Sequence, residues 1–457
     1  MSLTLSGADR SGPAQPVRSW FGAPTGPPKI ALPPEQRVEI IRHEMRDLPL
    51  DVFPVALQPF VVPRESYRQL LTATADMLDL LRRAVLGLAA DRAGRMAAID
   101  LDPDQCPLFT ADEDFELRHC ADMARADVVI SADGPKFVEF NVSGAFGGMV
   151  HFQQHQRAWQ RIRERAGRPA FIGVDAYARL AVLIERTCAE LGVPPSVALV
   201  GTPREWGPQT PTRNFDLQAA MLRRHGVYAE HLDFEDLLAG IGLPGPLRHP
   251  LGLAQFTHED ARVLGYDVSP VEAARDAGFR LIPSQTSRLL HSKKTLALVS
   301  EGLPWMTARD RELAARYLPW SRVVGDRKVE WRGDRHDLPR LLVEWQDRFV
   351  LKGATGCSGQ EVTFGASSSQ REWTDLVEDA LATGYYIAQE VVESERYPVD
   401  VMHSSGDIER ISANSVISPF CIGGTPAGCF ARFVASERPG IISALTSAML
   451  GCLVAEA

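Results

Sequence analysis

Apolar residues follow two different spacings along the chain, and each predicts a different element. From Pro63 to Leu88 they recur at the three- and four-residue spacing of a helix that buries one face. Ser196 to Gly201 is instead a short continuous apolar run, typical of a strand buried in a parallel sheet. A predicted helix from Asn214 to His225 and a second strand from Val227 to Leu232 follow. This order predicts a β-α-β unit and therefore an α/β fold.

The loop between these two strands is where a ligand of the unit is expected. In β-α-β units ligands bind beyond the carboxyl ends of the strands, and here the loop runs from Gly201 to Asn214. Asn214 and Gln218 lie four residues apart near the start of the predicted helix, so both side chains could face that ligand. Alternatively, Asn214 caps the helix and Gln218 faces solvent. The residues by themselves favour this second interpretation.

Polar side chains alternate with apolar ones in two strands that a turn separates. Arg125 and Asp127 share one face of the first strand, and Glu139 and Asn141 share one face of the second. The turn at 132–135 predicts an antiparallel hairpin, which would bring Asp127 close to Glu139. A carboxylate and an amide oxygen on one rigid face suit Mg²⁺. The alternative is an ordinary surface pair of Arg125 with Asp127, and spacing alone does not decide between the two.

A lysine at the end of a strand precedes a loop of small residues. The loop runs from Lys352 to Gly359, and a second strand returns at 362–364. Successive backbone N–H groups of such a loop can point at one anion, and the lysine adds a positive charge, so phosphate binding is favoured over a plain hairpin loop. The stretch has neither the Walker A nor the G-x-G-x-x-G spacing, which excludes the P-loop and dehydrogenase interpretations.

Three further stretches are compatible with a nucleotide but are weak signals alone. Lys293 and Lys294 begin a predicted helix, where the helix dipole disfavours cations unless an anion lies nearby. The apolar strand 385–392 could offer backbone groups to an adenine edge. The glycine-rich stretch 418–432, which follows Arg410, is predicted to be a loop, either one that closes over a ligand or an idle surface loop.

Composition and charge narrow the function. The chain of 457 residues is long enough for about two to four domains. It has 45% apolar and 23% charged residues, as in an ordinary globular protein. Its net charge of −9 leaves no footprint for nucleic acid or an anionic membrane surface, so small-molecule chemistry is expected. The chain lacks an apolar run long enough to span a membrane and lacks a signal peptide, which predicts a cytoplasmic protein.

Cysteine and histidine spacing does not predict a metal centre. The seven cysteines are scattered without a C-x-x-C spacing, which argues against disulfides and zinc. His151 and His155 lie four residues apart, as on one helix face, but no glutamate follows His151 as the H-E-x-x-H motif requires. A structural role is favoured for both histidines.

Together, these segments resemble the ATP-grasp superfamily in its circularly permuted form, as in eukaryotic-type glutathione synthetase and, more distantly, glutathionylspermidine synthetase. The Glu-x-Asn strand with its Phe-Gly-Gly turn, residues 139–148, precedes the phosphate loop, as in the permuted form. The segment 214–237, with Asn and Gln four residues apart, resembles the substrate-domain segment of glutathione synthetase. The order helix lysine, strand lysine, glycine loop, hinge strand and second glycine loop also agrees. The resemblance covers about residues 120–435.

The resemblance implies a fold and a domain plan. The fold would be a circularly permuted ATP-grasp, with a parallel-sheet substrate-binding domain and a lid. Independently of the resemblance, the seven prolines and the weak apolar periodicity of residues 1–35 predict a flexible or surface-wrapped arm. The expected domains are 36–168, with the metal-binding hairpin, 169–285, the Rossmann-like substrate domain, and 286–457, the ATP-binding and lid part.

The resemblance also implies a metal site with one departure from glutathione synthetase. Glu139 and Asn141 would hold Mg²⁺. Glutathione synthetases take a third ligand from a glutamate in the phosphate loop, where this chain has about Gly356. Asp127 matches the aspartate that glutathionylspermidine synthetase uses, so it is the expected third ligand, with Glu361 as the second candidate.

The resemblance also implies catalytic, ATP-binding and substrate-binding roles at matching positions of this chain. Arg125 would stabilise the transferred phosphoryl group or the tetrahedral species. The residues that would contact ATP are Lys294, Lys352, Gly356, Ser358, Gly359, Gln389, Glu390 and Val391. The residues that would contact the substrates are Ser143, Asn214, Gln218, Arg410, Gly424, Ala427 and Gly428. The turn after Asn141 is one residue shorter than in glutathione synthetase, so glutathione is not implied as the product.

The implied reaction is ATP-dependent amide formation through an acyl phosphate, with ATP and Mg²⁺ as cofactors. The partners would be a small carboxylic acid and an amine, each an amino acid or short peptide, in the biosynthesis of natural products such as antibiotics, and a homodimer is common in the family. Nucleic acid and membrane partners are not expected. Two alternatives stay open: a glutathione or glutathionylspermidine synthetase proper, and a non-catalytic ATP-binding scaffold.

Overall fold

A computed structural model describes residues 20, 30–48, 54–202, 213–241, 247–356, 361–435, 442 and 448–456. The helices in this part of the chain are α1 Pro34–Met45, α2 Arg64–Leu86, α3 Arg92–Ala97, α4 Glu113–Arg118, α5 Met149–Arg165, α6 Ala176–Glu190, α7 Arg213–Arg223, α8 His258–Val263, α9 Ser269–Asp276, α10 Ser287–His291, α11 Lys293–Glu301, α12 Ala308–Tyr317, α13 Leu338–Glu344 and α14 Gln370–Thr383. None of these helices is long and apolar enough to cross a membrane.

The strands form four sheets. They are β1 Val55–Ala56, β2 Phe60–Val62, β3 Met123–Ser131, β4 Gly134–Val142, β5 Ser196–Val200, β6 Tyr228–Leu232, β7 Leu251–Ala254, β8 Arg280–Ile282, β9 Ser321–Val323, β10 Lys328–Trp331, β11 Asp334–Asp337, β12 Phe349–Gly353, β13 Val362–Phe364, β14 Tyr386–Glu390, β15 Tyr397–Met402, β16 Ile408–Ile422, β17 Thr425–Val434 and β18 Met449–Ala455.

The largest sheet has eight strands and is mostly antiparallel. Its strand order is β1-β15-β16-β17-β18-β2, and the hairpin of β3 and β4 joins it through β3, which pairs with β16. The predicted helix α2 packs against β16 and β17, because its helical spacing places Leu70, Met77 and Leu80 on one fully buried face. This packing covers one side of the sheet.

A parallel sheet confirms the predicted β-α-β unit. β5 pairs in parallel with β6 and β7, and β7 pairs with β8, in the order β6-β5-β7-β8. Because all four strands run the same way, their carboxyl ends meet at one edge, where Gly201 and Gln255 follow β5 and β7.

A four-stranded antiparallel sheet carries the predicted phosphate-loop lysine. Its order is β13-β12-β14-β9, and Lys352 in β12 pairs with Val362 on one side and Ile387 on the other. Phe349, Leu351 and the buried Trp373 of α14 belong to the core beneath this sheet. The predicted strand that ends near Lys352 and the returning strand are therefore confirmed, and residues 357–360 of the loop between them lie outside the described residues.

The third glycine-rich stretch is a hairpin, so its prediction as a loop was wrong. β16 and β17 run through it and pair over most of their length, joined by Gly423 and Gly424. Both glycines have positive φ, 57° and 77°, as a two-residue hairpin turn between right-twisted strands requires. Gly428 is small for a packing reason, since a Cβ there would lie 2.2 Å from the ring of Phe152. Glycine content therefore reflected a turn and close packing.

Candidate functional site

The hairpin of β3 and β4 presents one apolar and one polar face. Alternate residues of β3, such as Ala126 and Val128, are fully buried in the core. The other face carries two directly opposed pairs, Arg125 with Asn141 and Asp127 with Glu139. The predicted hairpin and the predicted approach of Asp127 to Glu139 are thus confirmed.

A bulge in β4 links this hairpin to the Lys352 sheet. The register shifts after the pair of Asp127 with Glu139, so that Val138 is an extra residue without a partner on β3. The Val138 carbonyl oxygen instead accepts hydrogen bonds from Lys352 Nζ at 3.0 Å and Gln389 Nε2 at 3.4 Å. The bulge therefore fixes two predicted nucleotide-binding residues beside the predicted metal ligands.

Lys352 is a buried cation whose charge is held by hydrogen bonds. Besides the Val138 carbonyl, Nζ donates to Gln389 Oε1 at 2.7 Å. Burial lowers the pKa of Lys352 to about 8, with Glu139 opposing this effect and Lys293 adding to it. The lysine is therefore mainly charged at neutral pH.

Of the two neighbouring lysines, Lys293 and not Lys294 reaches the hairpin. Lys293 Nζ lies 3.2 Å from Glu139 Oε1 and donates to the Gly356 carbonyl oxygen at 2.5 Å. Lys294 Nζ instead donates to Asp100 at 2.7 Å. Successive residues of a helix point about 100° apart, so only one of the two can face the site. The ATP contact expected at Lys294 has no support from this placement, and Lys293 takes the position that was predicted for it.

Asp127 is surrounded by donors from three strands. Its Oδ1 lies 2.7 Å from Arg432 Nη2 and 3.4 Å from Arg125 Nε, and accepts a hydrogen bond from Ser418 Oγ at 3.0 Å. Burial alone would raise the pKa of Asp127, but Arg432 and Arg125 outweigh it and hold this pKa at about 2. Asp127 is therefore a permanent carboxylate at the centre of the site.

Sequence reasoning missed Arg432 and Ser418. Arg432 lies in β17 between the fully buried Ala431 and Phe433, and Ser418 is fully buried in β16. A charged residue inside an apolar strand was the available signal, since a buried charge requires a partner. The interpretation of this stretch as a loop concealed that signal.

Arg125 lies opposite Asn141, near the end of the hairpin that is far from its turn. Its Nη1 donates to the Gly147 carbonyl oxygen at 3.0 Å, which ties the turn after β4 to the site. Asn141 Nδ2 lies 3.5 Å from the Arg125 carbonyl oxygen, which leaves Oδ1 as the acceptor atom of that amide. Burial lowers the pKa of Arg125, Asp127 opposes this effect, and Arg432 adds to it.

The phosphate-loop glycine, Gly356, lies beside Glu361. Glu361 accepts a hydrogen bond from the Tyr385 hydroxyl at 2.7 Å, and a Cβ on Gly356 would lie 2.2 Å from the Glu361 carboxylate. Across the described residues, no three His, Cys, Asp or Glu side chains converge as metal ligands, so Glu361 does not join Asp127 and Glu139. Ser358 and Gly359 lie outside the described residues.

The predicted adenine strand has part of its backbone already engaged. The N–H groups of Glu390 and Val391 donate to the carbonyl oxygens of Trp320 and Arg348, at 2.8 and 2.9 Å. The Glu390 carboxylate accepts a hydrogen bond from Arg332 at 2.8 Å. An adenine contact at these two N–H groups would therefore require those bonds to open, whereas Gln389 already faces Lys352.

Gln218 lies at the carboxyl ends of the parallel strands. It exchanges two hydrogen bonds of 2.7 Å with Gln255, the residue after β7. Gln218 is only 4% exposed, so the interpretation as a solvated side chain was wrong. Asn214 is half-buried in the first turn of α7. The substrate roles of both residues stay predictions.

A pocket opens where the turn after β4 meets the parallel sheet. Ser143 and Gly144 line it together with Phe256, Arg288 and His291. A Cβ on Gly144 would lie 2.2 Å from the carbonyl oxygen of Ala254, so only glycine lets the turn approach the strand end this closely. The Ser143 hydroxyl accepts a hydrogen bond from the Ala145 N–H at 2.9 Å. Of the predicted substrate contacts, Ser143 lies in this pocket.

His291 is a buried, neutral member of the pocket wall. Its Nδ1 has no hydrogen-bond partner in the structure. Burial, followed by the charges of Arg288, Lys293 and Arg125, holds the pKa of His291 well below its usual value. The imidazole is therefore uncharged at neutral pH.

The four predicted substrate contacts on β16 and β17 and at the turn between them lie elsewhere on the large sheet. Arg410 forms a bidentate pair with Asp400, with distances of 2.7 and 3.0 Å. It precedes Ser418 by eight residues of one strand, which separates the two by about 26 Å. Gly424 is exposed at the hairpin turn, whereas Ala427 and Gly428 are buried in β17. The structure does not bring Arg410 to the hairpin, because the strand carries it to the opposite end.

The two histidines of α5 occupy the interior. His151 and His155 are each 7% exposed. Burial lowers the pKa of His151 to about 4, and burial together with His151 lowers that of His155 to about 3. This burial is consistent with the structural role that the sequence favoured for them.

Comparison with known proteins supports the fold. No family model matches the chain, and no curated protein sequence is similar to it. Among solved structures, a glutathione synthetase-like effector of Globodera pallida in its apo form aligns with a TM-score of 0.58 and 13% identity, over 93% of this chain and 99% of that chain. A candidate gamma-glutamylcysteine synthetase of Methylobacillus flagellatus KT aligns with a TM-score of 0.41 and 12% identity, over 83% and 88% of the two chains, which is too distant to support an argument. The chain shares its mixed α/β fold with a glutathione synthetase-like protein.

Proposed function

We propose that this protein is an ATP-dependent ligase that joins a carboxylic acid to an amine. One observation carries the proposal: the site has a surplus of buried positive charge. Four cations surround two carboxylates and leave a net charge of +2. The cations are Arg125, Arg432, Lys293 and Lys352, and the carboxylates are Asp127 and Glu139. A buried surplus of this size is costly unless an anion offsets it, and the complex of ATP with Mg²⁺ carries the opposite charge of about −2.

The residues present fit a magnesium ion. Glu139, Asn141 and Asp127 offer two carboxylates and one amide oxygen, the hard donors that Mg²⁺ takes in small number while phosphates and water fill its other positions. Glu139 is 20% exposed, more than the cations around it. When bound, the ion would supply charge neutralisation at the phosphates. This donor set supports Glu139 and Asn141 as the principal ligands, since Asp127 already faces three donors.

The chain would act by positioning and charge. Lys352 and Lys293 would hold the phosphates, and Arg125 would stabilise the phosphoryl group as it passes to the carboxylate of the acid. The resulting acyl phosphate would be attacked by the amine, releasing phosphate. Such a reaction needs no nucleophilic side chain.

The pocket beside the hairpin is the proposed binding site of the substrates. Its position between Ser143 and the carboxyl ends of the parallel strands is where an α/β unit binds its ligand. An amino acid or short peptide is the proposed acid, and an amino acid or peptide the proposed amine. The permuted ATP-grasp architecture, its lid and a role in natural-product biosynthesis belong to the same proposal.

The test is ADP release with product identification. Purified protein is incubated with MgATP and pools of amino acids and short peptides, and the products are read by mass spectrometry. We expect acid-dependent ADP release and a new amide. Arg125→Ala should lower turnover by about a hundredfold, the usual cost of losing a transition-state donor. Arg83→Gln, which removes an Arg–Asp pair that shares no residue with the site, should keep the turnover.

Three outcomes separate the alternatives. Nucleotide binding without ADP release from any pool would identify a scaffold and refute the ligase. Glutathione, formed from γ-glutamylcysteine and glycine, would identify a glutathione synthetase. A different amide would identify the acid and the amine directly.

A further inference from the structure

Two buried guanidinium groups share one oxygen of a single carboxylate. Arg432 Nη2 lies 2.7 Å from Asp127 Oδ1, and Arg125 Nε lies 3.4 Å from the same atom. The side chains of Arg432 and Arg125 are 9% and 12% exposed. One negative charge therefore faces two positive charges away from solvent, and one positive charge is left over.

The remaining donors of both arginines are incompletely used. Arg432 Nε is buried and forms no hydrogen bond, and Arg125 Nε, also buried, approaches Asp127 Oδ1 at 3.4 Å without forming a hydrogen bond. Arg432 Nη2 also donates to Ser418 Oγ at 3.2 Å, and this hydroxyl itself donates to Asp127. A buried donor without an acceptor costs free energy, so two cations whose Nε–H groups form no hydrogen bond at one place point to an oxyanion ligand.

The pair of Arg83 with Asp310 provides a comparison, because it has the geometry of a purely structural ion pair. Arg83 places Nη1 and Nη2 on the two separate oxygens of Asp310, at 3.2 and 2.8 Å. One guanidinium there uses both oxygens of one carboxylate, the geometry that gives such pairs their strength. At Asp127 all contacts converge on Oδ1 instead. The arrangement there leaves the buried Arg432 Nε without an acceptor, which a purely stabilising pair would not do.

We propose that Arg432 and Arg125 together bind the terminal phosphate of the nucleotide, with Asp127 and Ser418 fixing the two guanidinium groups. Arg432 is thereby a nucleotide-contacting residue of the site. This inference rests on the proposed nucleotide function. It adds a contact that depends on the third phosphate, whereas Lys352 and Lys293 account for phosphate binding in general.

The test compares nucleotides with two and three phosphates. MgADP and the non-hydrolysable ATP analogue MgAMP-PNP are titrated calorimetrically into the wild type, Arg432→Gln and Arg432→Lys. We expect Arg432→Gln to weaken MgAMP-PNP binding at least thirtyfold and MgADP binding less than threefold. Arg432→Lys should restore part of the difference, because lysine keeps the charge but loses the planar fork. Arg83→Gln should leave the ratio of the two dissociation constants at the wild-type value.

The outcomes distinguish the two proposals. If the wild type binds neither nucleotide, the proposed function fails. If the wild type binds both and Arg432→Gln leaves their ratio unchanged, the role of Arg432 is refuted while the nucleotide function stands. Equal weakening of both nucleotides would also refute it, since that result indicates a structural role.

A second variant keeps the test decisive if Arg432→Gln does not fold. Removing Arg432 alone leaves Asp127 buried with one partner fewer, so the double variant Asp127→Asn/Arg432→Gln removes both charges together. Its fold is checked by circular dichroism. A folded double variant that still prefers MgAMP-PNP as strongly as the wild type would refute the proposal, and one that loses this preference supports it.

Discussion

The structure places Lys293 at the site, whereas the family resemblance implies Lys294. Replacing each of these lysines by methionine tests which of the two contacts the nucleotide. Lys293→Met removes a cation that lies 3.2 Å from Glu139. The Lys293 side chain is only 3% exposed, so a phosphate that it holds would form a buried charge pair with it. Removing one partner of such a pair costs about 2 to 5 kcal/mol, so we expect a loss of about 3 kcal/mol in MgATP binding, or about 150-fold in the dissociation constant.

Lys294→Met is the matched comparison on the same helix. Lys294 pairs with Asp100, whose side chain is 77% exposed. A pair with such an exposed partner contributes at most about 1 kcal/mol. The dissociation constant for MgATP should then change by no more than about fivefold. The two methionine variants have the same composition, so their difference reports position alone.

The assay is calorimetric titration of MgATP into the wild type and both variants, with a thermal melt of each protein as a control for folding. The assignment of the phosphate contact to Lys293 is refuted if Lys294→Met weakens binding as much as or more than Lys293→Met while both proteins remain folded. That result would return the phosphate contact to Lys294, as the resemblance implied.

Three further predictions follow from the site and the buried histidines. Because burial lowers the pKa of Lys352 to about 8, MgATP affinity should fall above that pH by up to about tenfold per unit, and Lys352→Arg should abolish this alkaline decline; an identical decline in the variant would contradict it. Glu139→Gln should raise the Mg²⁺ concentration for half-maximal activity about tenfold or more, and an unchanged Mg²⁺ titration would exclude Glu139 as a ligand. His151 and His155 resist protonation in the folded state, with pKa values of about 4 and about 3 that burial lowers. The unfolded chain binds more protons below about pH 6.5, so stability should fall with acid by about 2 kcal/mol per histidine at about pH 5. Urea unfolding at neutral and acid pH should show a weaker loss in the double variant to glutamine, and an equal loss would contradict the assignment.

Local patterns were sufficient wherever neighbours in sequence are also neighbours in space. Alternation of polar and apolar residues with a turn between them predicts the hairpin that pairs Asp127 with Glu139, because side chains two apart share a face. The apolar run of β5, followed by a helix and a second strand, predicts the parallel unit, because a helix that crosses over the sheet returns the chain in the same direction. The position of Lys352 near the end of its strand was also predictable from the local sequence.

Tertiary structure decided which charges meet at the hairpin. Ser418 lies 291 residues from Asp127 along the chain, and Arg432 reaches the same carboxylate only because β16 pairs with both β17 and β3. The choice of Lys293 over Lys294 depends on the rotation of a helix about its axis, which two adjacent lysines cannot reveal. Strand pairing and helix rotation are set by the burial of the whole core, so no local window contains them.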